Sequence, residues 1–214
     1  MSYSGCMTRL DHLGLPPAQR AALEAAYATP TRAYHSISHV EAVLADVDIV
    51  EAGPGWSQPR EVRFAVAYHD AIYDAGRSDN EARSAQLARE HIGKWMPDAR
   101  IDVERVARLI ELTARHGRID AAMLADDPAP GDAMHFLDCD MAVLGTAPTV
   151  FDAYHRGIAA EYRGHVPGWL FKVNRKRFLK TLLARERIFM SDFMHARLDA
   201  QARINLRRAI THKQ

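Results

Sequence analysis

His69 and Asp70 stand side by side in the run FAVAYHDAIYD, and together they offer a nitrogen and an oxygen donor. Val62, Ala65, Val66, His69 and Ile72 recur at helical spacing, which puts His69 on an inward stripe. The imidazole and the carboxylate then meet in a low-dielectric interior. An unpaired charge is costly there, so Asp70 requires a cation or strong hydrogen-bond donors. A divalent metal satisfies that requirement, with His69 and Asp70 as ligands. A core histidine beside a hydrogen-bonded aspartate satisfies it too.

Further donors favour the metal. His35 and His39 stand four apart in RAYHSISHVEAV, and Asp138 and Asp140 flank Cys139 in HFLDCDMAVLG. His39 heads a helix whose apolar side is Val43, Val47 and Val50, and Asp140 shares a stripe with Leu137 and Leu144. His39, His69, Asp70 and Asp140 therefore make a two-nitrogen, two-oxygen set that leaves room for water or substrate. Such a set suits one divalent ion: Mn, Fe, Co, Ni or Mg, or Zn with an open geometry. Cys6 and Cys139 are the only cysteines, 133 positions apart, which speaks against a closed structural zinc site. Asp138 is a rival for Asp140; two apart on a helix, they point about 200° from each other, so both cannot easily bind one ion.

The elements that must position these donors are helices. Helical periodicity dominates and strand-like alternation is nearly absent, which predicts an all-α chain. Residues 1–14 read as a flexible N-terminus and 15–214 as one helical domain. Pro16 and Pro17 open a first helix. Ser38 with Glu41 and Ser78 with Glu81 are capping-box pairs for helices over 39–51 and up to 95. The His-Asp helix is predicted over 60–73, and the next over 101–116 with Gly117 as its stop. DDPAPGD at 126–132 reads as the most mobile loop, followed by helices over 134–144, 148–163, 167–189 and 192–210. Balanced charge, 28 basic against 27 acidic residues, gives no clear sign of nucleic-acid binding. No apolar run approaches the ~20 residues of a membrane span. The start MSYSGCMTRL lacks the apolar core of a signal peptide, and the sparse cysteines fit a reducing cytoplasm. The pattern leaves the oligomeric state open.

The order His…His-Asp…Asp on helices resembles the HD superfamily of metal-dependent phosphohydrolases. YHSISHV, HDAIYD, DNEARSA, LIELTARH, FLDCDMAVLG, EYRG and ARINL together resemble a family of small bacterial HD phosphohydrolases over residues 31–209. The resemblance implies a single HD-type helical domain with a metal cleft. It implies hydrolysis of a phosphoester or phosphoanhydride bond in a nucleotide or related small phosphorylated molecule. A non-catalytic nucleotide-binding protein and an HD-type metal oxygenase are the alternatives. The HD pattern closes on an aspartate followed by hydrophobic residues, which favours Asp140 as ligand.

Catalytic roles follow from the same resemblance. YHSISHV is similar to the YHNxxH motif of cyclic-nucleotide phosphodiesterases, with Ser36 at the Asn position, which would make His35 the general acid. A helix-start packing role is the other reading of His35. HDAIYD resembles the HDxxED motif of guanosine-tetraphosphate hydrolases, with Tyr73 at the first acid. Asp74, four residues from Asp70, would then orient the attacking water; an exposed carboxylate at the helix end, next to Gly76, is the other reading. His116 ends an apolar stripe and either contacts phosphate or metal-bound water, or is a plain core histidine. Arg175, Lys176 and Arg177, in KVNRKRFLK, either bind substrate phosphate or form a solvated face.

Overall fold

The computed structural model describes residues 8–28 and 32–211. Among these, the chain is all-helical, with one isolated bridge between Arg163 and Val166. The helices are α1 (Pro17–Tyr27), α2 (Ile37–Glu51), α3 (Pro59–Tyr68), α4 (Asn80–Trp95) and α5 (Val103–Thr113). They continue with α6 (Pro130–Asp140), α7 (Pro148–Glu161), α8 (Gly168–Leu183) and α9 (Asp192–Thr211). Short 3₁₀ turns lie at Arg9–Leu13, Ala121–Leu124 and Ala142–Gly145. No helix among the described residues is long and apolar enough to cross a membrane.

A contiguous core runs through the bundle, and α3 is its centre. Val62, Phe64, Ala65, Val66, Ala67 and Tyr68 are all buried, so this short helix is wrapped on every side. Helix α5 adds Val106, Leu109 and Ile110, and α6 adds Phe136 and Leu137. Proline stands at the first turn of α1, α3, α6 and α7, where its missing N–H costs nothing.

Several local expectations are corrected. The predicted flexible start extends too far: Arg9–Leu13 is a helical turn with Leu10 and Leu13 buried, and residues 1–7, with Cys6, lie outside the described residues. Glu41 does not cap its own helix; it accepts from the Arg9 and Leu10 N–H groups at 2.8 and 3.1 Å and anchors that turn. Asp79, not Ser78, precedes α4, and no side-chain capping bond forms there. The DDPAPGD segment is pinned rather than mobile. Asp127 pairs with Arg105 at 2.7 Å, both side chains buried, and Asp132 accepts from Ser57 and Gln58 N–H at 2.9 and 2.7 Å. Helix α6 accordingly starts at Pro130, earlier than predicted, and α8 stops at Leu183 rather than near 189.

Candidate metal centre

Helix α3 ends at Tyr68, five residues before the predicted end at 73. His69 keeps helical φ and ψ and donates its backbone N–H to Ala65, so it retains its inward direction. Asp70 then enters a turn. Its side chain folds back beside His69, with Oδ2 3.0 Å from His69 Nε2. His39, near the start of α2, and Asp140, at the end of α6, complete the group. His39 Nε2 lies 3.1 Å from His69 Nε2, 3.1 Å from Asp140 Oδ1 and 3.5 Å from Asp70 Oδ2; His69 Nε2 lies 3.3 Å from Asp140 Oδ1.

His39, His69 and Asp70 form a group whose donor atoms lie close enough together to share one ion, and Asp140 stands against both imidazoles. Ligands bound at ~2.1 Å stand about 3.0 Å apart in neighbouring octahedral positions and about 3.4 Å apart in a tetrahedron. His69 Nδ1 lies 2.8 Å from the Val66 carbonyl, which accepts a hydrogen bond from Nδ1–H and so turns the Nε2 lone pair toward the cluster. The electrostatics also call for positive charge. Burial pushes the Asp70 and Asp140 carboxyls up, but the surrounding imidazoles outweigh it and hold both well below the usual range. Burial disfavours a charged His69, yet Asp70 and Asp140 overcome this and raise its proton affinity well above the ordinary value. So strong a draw on a proton is the electrostatics that a cation at this point would satisfy. The donor set fits a divalent metal.

Asp138 has another task. It accepts from Met190 N–H, Ser191 N–H and Ser191 Oγ at 2.8, 2.8 and 2.6 Å, and so caps the turn leading into α9 rather than binding an ion. Burial pushes its carboxyl up to about 6 against those donors.

His39, Asp70 and Asp140, but not the buried His69, line a cavity of about 520 Å³, together with His35, His116, Tyr73, Tyr154 and Arg175. Comparison with family models, curated proteins and solved structures finds no match. The functional reading therefore rests on the geometry. His35 Nδ1 is 2.6 Å from Glu161 Oε2, and its ring stacks on Tyr73 with centroids 4.0 Å apart. The other Glu161 oxygen accepts the N–H groups of Ala33, Tyr34 and His35 at 2.9, 2.7 and 3.0 Å. One buried carboxylate at the end of α7 thus fixes both the loop and the imidazole. Arg32 fastens the same loop from the other side, donating to the carbonyls of His35, Asp70 and Ala71 at 2.9, 2.7 and 2.8 Å. Neither role is visible in the sequence, because both partners are far away along the chain.

The remaining candidates divide. His116 sits in the turn after α5, with Nε2 3.1 Å from Asp140 Oδ2, so it touches the Asp140 oxygen that faces away from His39 and His69. Gly117, at φ +73°, turns the chain directly after it. Arg175 reaches the cavity, donates to Tyr154 OH at 2.5 Å and lies over the Tyr154 and Phe178 rings. Lys176 and Arg177 are exposed and do not line it. Asp74 is a correction. Because α3 has already ended, Asp70 and Asp74 share no helix face, and Asp74 points outward to Arg83 at 2.6 Å.

Proposed function

We propose that this protein is a metal-dependent phosphohydrolase of the HD type. Its substrate would be a small phosphorylated molecule, a nucleotide or relative, cleaved at a phosphoester or phosphoanhydride bond. The observation that carries the reading is the grouping of the His39, His69 and Asp70 donors at 3.0–3.5 Å, with Asp140 3.1 and 3.3 Å from the two imidazoles, beside an open cavity that His39, Asp70 and Asp140 line. A divalent ion held there supplies Lewis-acid polarisation of a phosphoryl oxygen and a lowered pKa for water.

The chain's own groups do the rest. Glu161 would accept a hydrogen bond from His35 Nδ1–H, which turns a protonated Nε2 toward the cavity to give its proton to the leaving oxygen. Arg175, steadied by Tyr154 and Phe178, offers guanidinium donors to a phosphate. Tyr34, Tyr73 and Tyr154 give the cavity aromatic walls that accommodate a planar leaving group. His116 stands 3.1 Å from the second oxygen of Asp140.

The test is a phosphoester panel, spanning aryl phosphates and nucleotides, assayed with metal-loaded and chelator-treated protein of measured metal content. Turnover restored by a divalent ion supports the reading. A metal-loaded protein that turns over no member of the panel displaces it in favour of a binding protein.

A further inference from the structure

One strongly charged feature lies outside the cavity. Residues 162–185 contain seven Lys or Arg and no Asp or Glu, in a chain with 28 basic and 27 acidic residues overall. The rest of the chain is therefore acidic, and the near-zero net charge conceals a segregated one. Most of this segment is α8. Its inner face, with Phe171, Arg175 and Phe178, lines the cavity. Trp169, Lys172, Val173, Lys176 and Lys180 recur three or four apart and share the opposite face, with Arg177 beside them. All six are exposed, Trp169 by 70%. A tryptophan this exposed is unusual, since its burial is a main source of packing energy.

We infer that this outer face of α8 binds single-stranded nucleic acid. Lysines one helical turn apart, about 6 Å at 1.5 Å per residue, present a row of charge to successive phosphates. Trp169 at the head of the row offers a flat face on which a base stacks. A lipid surface fits less well, because only Trp169 and Val173 supply exposed apolar area on the row and the helix's other side is committed to the fold. The inference does not rest on the metal chemistry, because the face points away from the ligands.

The experiment titrates the full-length protein, without added metal, against a fluorescein-labelled oligothymidylate by anisotropy at several salt concentrations. Phosphatidylserine-containing and neutral vesicles are run in parallel by sedimentation. The wild type should bind the strand, with affinity falling as salt rises. The double variant Lys176→Glu/Lys180→Glu should bind more weakly, with a log–log salt slope shallower by roughly 0.7 for each phosphate no longer neutralised. Trp169→Ala should weaken binding at least about fivefold with the slope unchanged. These positions are exposed, and circular dichroism of each variant confirms that the fold is intact. No binding by the wild type, equal binding by the variants, or binding to anionic vesicles alone overturns the inference.

Discussion

Glu161 is the residue on which the candidate chemistry turns, because it holds a proton carrier and three backbone N–H groups at once. Glu161→Gln keeps an oxygen for the loop but offers His35 no anion. It should retain metal and slow turnover, measured by metal content and steady-state kinetics on one sample. Burial raises the Glu161 carboxyl, but the His35 and backbone donors outweigh it and leave its pKa below the ordinary value. The stability it confers is therefore present above the unfolded-state pKa of about 4.3 and is lost as pH falls through the folded value. Thermal midpoints between pH 6 and pH 3 should fall more steeply for the wild type than for Glu161→Gln. His35→Ala should keep metal and lose about 10²–10⁴-fold in rate, and less on aryl phosphates, which need little leaving-group protonation. Asp70→Ala should lose metal and hydrolysis while its circular dichroism stays helical; unfolding would make the metal chiefly structural. Asp74→Asn, by contrast, should leave turnover unchanged and cost under about 1 kcal/mol, since its ion pair with Arg83 is exposed.

At the scale of elements, two glycines set how closely the helices approach. A Cβ on Gly157 in α7 would stand 3.0 Å from Tyr34 Cβ and 3.4 Å from the Ala33 carbonyl, in the loop that carries His35. Gly157→Ala should push that loop outward and reduce turnover with little loss of metal. A Cβ on Gly145 would stand 2.6 Å from Leu198 Cβ and 2.8 Å from its carbonyl oxygen, an approach to α9 that leaves no room to shift. Gly145→Ala should destabilise by roughly 1–3 kcal/mol, read from the urea midpoint. Helices were legible in the sequence because amphipathic stripes announce them, and the inward direction of His39, His69 and Asp140 followed from those stripes. Where α3 ends was not legible. FAVAYHDAIYD continues the apolar period past Tyr68, and only tertiary bonds, such as Arg32 to the Asp70 and Ala71 carbonyls, unwind it. That single misplaced boundary accounts for the error over Asp74. Composition misled at 126–132 for a related reason: Pro, Gly and Asp read as loose, yet Arg105 and the turn before α3 bind both Asp127 and Asp132.

At the scale of the molecule, buried charge ties distant parts together. Arg105 and Asp127 pair at 2.7 Å with side chains only 3% and 1% exposed. Removing one partner strands the other in the interior, so Asp127→Ala should cost about 3–5 kcal/mol in chemical denaturation. The double variant Arg105→Met/Asp127→Ala should recover part of that loss, because neither charge then remains. The candidate metal donors obey the same logic: each element brings a polar group that is unfavourable alone and satisfied only in company.

The Glu161 clamp also has a temporal meaning. The ribosome delivers the chain from the N-terminus, so the four ligand donors, ending at Asp140, emerge before the carboxylate that fixes His35. A nascent chain can bring its candidate metal donors together while the candidate proton donor His35 is still unheld, and Glu161 reaches His35 only when α7 docks across a separation of 126 residues.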